Sequence, residues 1–241
     1  MLRCLGGFRL VVGGEPLETT SAKPRSRAAL RLLAMHAGRS VHREVLVEAL
    51  WPEVDPQVGI RNLQVTISSL RRLLEPQAPR RTSSFVVRED GAYRLALPPS
   101  SDVDLWMFEE AFTEARSAVA TGAHDVAAAA LQRARTAYGG DLLPEDGPAE
   151  WVVQERERLR LAAVDVAQAD AQLALDRGAA VAAVGACEWG LRIDRYHDPL
   201  WRLLTEAHER AGDRAAALRT RRAYDDTLAE LGLPPDLQRA G

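Results

Sequence analysis

Apolar residues recur at steps of three and four through residues 56–74, PQVGIRNLQVTISSLRRLL, where Ile60, Leu63, Ile67, Leu70 and Leu74 share one side. That spacing predicts a helix burying a single stripe. At 100° per residue the opposite side carries Arg61, Val65, Ser68 and Arg72, flanked by Ser69, and the stretch has no carboxylate. Small residues let a helix approach a DNA groove closely, and arginine supplies forked donors for phosphate or guanine. A solvated basic helix face has the same composition, so the surrounding pattern decides between the two.

Upstream, LRCLGGFRLVVGGEPLE alternates in short runs broken by Gly6-Gly7 and Gly13-Gly14, which predicts a small antiparallel meander. A helix is expected from about Ser26 to His36 with Leu30, Leu33 and Ala34 inward. Its start is preceded by Pro24 and surrounded by Lys23, Arg25 and Arg27. Positive side chains beside free helix N–H groups form a plausible phosphate clamp, and a solvated turn is the plainer reading. Gly38 ends this helix and Ser40-Val41 suits a short strand. A second helix is expected from His42 to Trp51, with Val45, Leu46, Ala49 and Leu50 inward and Trp51 in the core. Asp55-Pro56 then forms a strong helix start. FVVREDGAYRLAL (85–97) reads as strand, turn and strand, bent at Asp90-Gly91.

Beyond the PPSSDVD linker the pattern is helical throughout. Helices are expected at 104–121, 124–138, about 149–177, 179–194, 199–211 and 213–231, with DLLPEDGP as a loop. Gly178 and Gly212 stand 34 residues apart and Pro199 and Pro234 stand 35 apart, the period of tetratricopeptide helix pairs. An ordinary helical bundle with a chance period is the alternative.

Charge divides the chain in the same place. Residues 1–99 hold 15 Lys+Arg against 9 Asp+Glu, net +6, and residues 100–241 hold 16 against 25, net −9. A basic front half suits a polyanion partner, and an acidic back half should face away from it. Cys4 and Cys187 are too distant for a disulfide framework or a zinc site, no apolar run reaches membrane-span length, and the N-terminus lacks a signal-peptide pattern, so a cytoplasmic protein with no membrane partner is expected. The five histidines form no HExxH spacing, Lys23 is the only lysine and lies in no phosphate loop, and no GxSxG occurs. Neither a catalytic residue, a metal nor a cofactor is expected, and the chain is not read as an enzyme.

Meander, three helices and hairpin, carried by VHREVLVEALWP, RNLQVTISSLRRLLE and Tyr93-Arg94-Leu95, resemble the winged helix-turn-helix of OmpR/PhoB-type DNA-binding domains. The resemblance implies that 57–74 is the recognition helix and 85–97 a wing reaching the minor groove or its phosphates. Matched residue by residue, it points Arg61, Thr66, Ser68, Ser69 and Arg71 at DNA, whereas the helical wheel points Arg61, Val65, Ser68, Ser69 and Arg72. Which of Arg71 and Arg72 turns inward stays open. Arg43 and Arg88 are expected on the DNA backbone, and Gln64 and Arg94 complete the candidate set with Lys23, Arg25 and Arg27. The chain departs from the family pattern at Ser69, where arginine is usual, and at Ala92, where glycine is usual. Glu89 and Asp90 at the wing tip must point away from phosphate or pair with Arg88.

DVDLWMFEEAF, WVVQERERLRLAA and AALRTRRAYDDTLAELGLPP resemble the bacterial transcriptional activator domain, which follows a winged helix in SARP (Streptomyces antibiotic regulatory protein) regulators. The expectation is therefore a mainly α fold with a small β part: a winged helix-turn-helix at 1–98, then an all-α tetratricopeptide-like helical-repeat domain at 99–241. The chain ends soon after Pro235, as in a short member or an excerpt of a longer regulator. The resemblance implies a sequence-specific transcriptional activator. Its partners would be double-stranded DNA with promoter direct repeats, a second copy on that DNA, and RNA polymerase with its sigma factor, serving secondary-metabolite genes. The alternative is a helical-repeat interaction or ligand-sensing module with a vestigial winged helix.

Overall fold

The computed structural model describes residues 1–77 and 83–234, so Pro235 of the quoted C-terminal motif lies outside the described residues. Two compact units form: Met1–Trp106 with Gly139–Glu157, and Met107–Tyr138 with Arg158–Gly241.

In the first unit, β1 (Leu2–Arg3), β2 (Arg9–Val12) and β3 (Glu15–Pro16) make the expected antiparallel meander, with Leu2 opposite Leu10 and Val12 opposite Glu15. Then come α1 (Pro24–Met35), β4 (Val41–His42), α2 (Arg43–Leu50), α3 (Pro56–Leu74), β5 (Val86–Glu89) and β6 (Ala92–Leu95). The second sheet runs β4-β6-β5, all antiparallel. The β5–β6 turn has two residues, Asp90 at φ +40° and Gly91 at φ +84°. Two successive left-handed residues match the right-handed twist of the flanking strands, so the hairpin closes tightly.

The periodic pattern locates these helices within about two residues, but not every inward assignment holds. On α2 the buried stripe is Leu46, Val47 and Leu50, and Val45 is 53% exposed. At 100° per residue Val45 lies roughly 150° around from the centre of that stripe. Trp51 and Ile60 are half-buried rather than core.

A carboxylate that reads as linker anchors the first unit. Asp104, at the head of α4 (Asp104–Ala120), has no exposed surface. It accepts hydrogen bonds from the N–H groups of Cys4 at 2.8 Å and Leu5 at 2.8 Å, and from Leu105 at 2.8 Å. Burial pushes its pKa up, and these donors pull it back only in part. The segment 139–157 adds further ties. Arg31 grips Asp146 with two 2.5 Å bonds. Arg156 donates to the carbonyls of Leu142 (2.8 Å), Gly147 (2.7 Å) and Leu143 (2.9 Å).

The second unit is built from α5 (His124–Ala137), α6 (Glu150–Asp176, whose first residues belong to the first unit), α7 (Ala180–Ile193), α8 (Asp198–Arg210) and α9 (Arg214–Glu230), together with most of α4. Its core is small and apolar: Ala167, Ala171, Leu175, Ala183, Ala186, Cys187, Leu200 and Leu204. Gly190 makes this close approach possible, since a Cβ there would stand 2.5 Å from Leu200 and 2.6 Å from Ala167. Helices α4, α6, α8 and α9 end alike. A glycine of positive φ (Gly122, Gly178, Gly212, Gly232) donates back three residues, and the next N–H donates back five. This is the Schellman arrangement, which satisfies carbonyls left over at a helix end. The sequence period showed Gly178 and Gly212; Gly122 stands 56 residues before Gly178 and Gly232 stands 20 after Gly212, so neither falls on it.

Replacing Asp104 by alanine strands three buried N–H groups. A loss of about 3 kcal/mol in unfolding free energy is expected, measurable by urea denaturation of the full chain.

Candidate nucleic-acid interface

The local sequence starts α3 firmly. Pro56 occupies the first turn, and the Asp55 carboxylate accepts from the N–H groups of Gln57 at 2.9 Å and Val58 at 3.3 Å. Gly59 is buried against α2, where an added Cβ would meet Val47 Cγ1 at 2.4 Å. The two helices therefore cross closely at this glycine. Leu63, Thr66, Ile67, Leu70 and Leu74 complete the inner face.

The outer face carries Arg61, Gln64, Val65, Ser68 and Arg72, with Ser69 beside them. Arg61, Gln64, Val65 and Ser68 are exposed, and Ser69 is half-buried. Among the described residues neither Arg61 nor Arg72 makes an ion pair. Thr66 is only 7% exposed and is not on this strip. It shares the side of Leu63 and Leu70, one helical turn away in each direction. The inward arginine is Arg71. Its Nε and Nη2 donate to the Val86 carbonyl at 3.0 and 2.8 Å, which holds the end of α3 to β5.

A second tie was not visible in the sequence. Glu75, the last cap of α3, accepts from the Ser83 hydroxyl, the Ser84 hydroxyl (2.6 Å) and N–H (3.1 Å), and the Phe85 N–H (3.4 Å). Burial raises its pKa, but these hydrogen bonds outweigh it and bring the pKa down to about 2. The root of the hairpin is thus set by α3.

On the hairpin, Glu89 pairs with Arg94 at 2.5 Å and accepts from Ser40 Oγ at 2.8 Å, so its partner is Arg94 and not Arg88. The Arg94 hydrogen bond, then that of Ser40, holds the Glu89 carboxyl below its usual range. Arg94 is therefore occupied, while Arg88 and Asp90 are exposed at the tip. Arg43 opens α2 half-buried, and its backbone N–H donates to the Gly91 carbonyl at 3.0 Å, placing that helix start at the hairpin turn. Lys23, Arg25 and Arg27 sit on a separate element, the head of α1. Arg25 is exposed, and Arg27 folds back onto the Thr20 carbonyl at 3.2 Å. No acidic residue lies in that first turn.

Among the described residues no helix is long and apolar enough to cross a membrane, and no group of three or more His, Cys, Asp or Glu is placed to hold a metal.

Two helices meeting at a glycine, the second with an open basic face, followed by a tightly turned hairpin, define a winged helix-turn-helix, the fold of a class of DNA-binding transcriptional regulators. Residues 17–95 match the family "Transcriptional regulatory protein, C terminal". Residues 103–239 match "Bacterial transcriptional activator domain", and the chain belongs to that family. It is 29% identical over 238 residues to the transcriptional regulatory protein EmbR of Mycobacterium tuberculosis, covering 96% of this chain and 59% of EmbR. It is 28% identical over 235 residues to the regulatory protein AfsR of Streptomyces coelicolor, covering 96% of this chain and 22% of AfsR. A solved structure of Mycobacterium tuberculosis EmbR in complex with a low affinity phosphopeptide superposes with a TM-score of 0.74 at 26% identity, over 98% of this chain and 62% of that one. SARP-like regulators are thus distant homologues, and the family is one of transcriptional regulators, not enzymes.

Gly59→Ala forces α2 and α3 apart against a stiff valine. A loss of about 1–3 kcal/mol in stability is expected, read by thermal unfolding. Glu75 has a folded pKa below its usual 4.5, so its stabilisation is present above pH 4.5 and is lost as pH falls toward about 2. Glu75→Gln should be less stable than wild type at neutral pH, with the two converging in acid titrations followed by circular dichroism.

Proposed function

We propose that the chain is a sequence-specific transcriptional activator that docks α3 in the major groove of promoter DNA. Copies occupy direct repeats about one helical turn apart. The acidic helical half helps engage RNA polymerase and its sigma factor. The observation that carries this reading is the outer strip of α3, which is carboxylate-free and flanked by two arginines that make no ion pair among the described residues. Arg61 and Arg72 bind guanine or phosphate, while Gln64, Val65, Ser68 and Ser69 face base edges. Arg43 and Arg88 contact the DNA backbone, and Lys23, Arg25 and Arg27 clamp a phosphate at the head of α1. Arg71, Arg94 and Thr66 act indirectly, through the hairpin and the packing of α3. The two modules meet at 98/99, the targets are secondary-metabolite genes, and the protein works in the cytoplasm.

The test is a fluorescence titration of the full chain on upstream duplexes across a salt series. Affinity should fall steeply with salt. Arg61→Ala should weaken binding to matched DNA about 10-fold or more, and Arg72→Ala should lower the salt slope by about 1. Binding indifferent to salt and to both substitutions would refute the proposal.

A further inference from the structure

We infer that Val65 reads a base, through an apolar contact with the C5-methyl group of a thymine in the major groove. This rests on the DNA-binding reading of α3 and adds the chemistry of one recognised base. Val65 is 69% exposed, the most open large apolar side chain of the first unit among the described residues. It lies one turn after Arg61, one turn before Ser68 and two turns before Arg72, with Gln64 beside it.

Every neighbour on the strip can hydrogen-bond to phosphate or to a base edge; Val65 cannot. On a face directed at DNA it finds an apolar partner in one place. The thymine methyl is the methyl group that a base pair shows in the major groove, and phosphates and sugars offer no equivalent there. Branching at Cβ leaves valine few rotamers, so its two methyls project in a fixed direction on a short stem. The flanking groups suit an A·T pair as well, since Gln64 matches the paired donor and acceptor of adenine and Ser68 is small enough to let the helix come near. Val45 serves as an internal control, being 53% exposed but on α2 and not part of this strip.

The experiment uses the full chain and a duplex that it enriches from a random-sequence pool. Each thymine of that duplex is replaced singly by deoxyuridine, which deletes only the methyl group, and the duplexes are titrated against wild type, Val65→Ala and Val45→Ala. For wild type, at least one replacement should weaken binding about 3- to 5-fold, the worth of one methyl removed from water. Val65→Ala should bind the thymine duplex weaker by a similar factor and no longer distinguish it from the deoxyuridine form, whereas Val45→Ala should behave as wild type. If wild type ignores every replacement, or Val65→Ala still discriminates as wild type does, the inference is overturned and the DNA-binding reading stands. A folded chain that enriches no sequence overturns both.

Discussion

The rotation of α3 about its own axis is the constraint from which its surface follows. Near its start, Gly59 lets α2 come close enough for Val47 to fill the space a Cβ would occupy. At its end, the Arg71 guanidinium spans to the Val86 carbonyl. Between them Leu63, Thr66, Ile67 and Leu70 are sealed inside. A helix pinned at both ends and packed along its length cannot roll, so residues 61, 65, 68 and 72 are left in a line facing outward. The hairpin inherits the same order, because Glu75 gathers the residues leading into β5 at the end of that helix.

Helical periodicity made much of this legible. A 3.6-residue period specifies both the buried stripe and its opposite, so the outer strip of α3 was readable from spacing alone. Family resemblance was a poorer guide to single side chains. It put Thr66 and Arg71 outside, where spacing put Val65 and Arg72, and the structure buries Thr66 and ties Arg71 to β5. Arg71 turns inward because a carbonyl on β5, 15 residues later, accepts from it, and no local pattern reports that partner.

Asp104 was illegible for a related reason. Two of its three partners are backbone N–H groups about 100 residues away, and main chain has no composition to read. A PPSSDVD stretch looks solvated until those donors are found. The charge split also conceals structure: Asp104 and Asp146, counted with the acidic half, have buried side chains in the first unit, where they anchor Cys4 and Leu5 just after β1 and Arg31. Net charge by sequence half describes the field around a molecule better than it describes which residues meet.

Arg156 uses three separate nitrogens on three separate carbonyls, a planar fork fitted to a turn of backbone. Lysine offers a single ammonium on a flexible stem and cannot reproduce that spread. Of 31 basic residues in the chain only Lys23 is lysine, and at Arg156 the choice of arginine is a structural requirement. A gene rewritten to favour lysine would tolerate the exchange on solvent-facing helix sides and fail at the loop that Arg156 gathers.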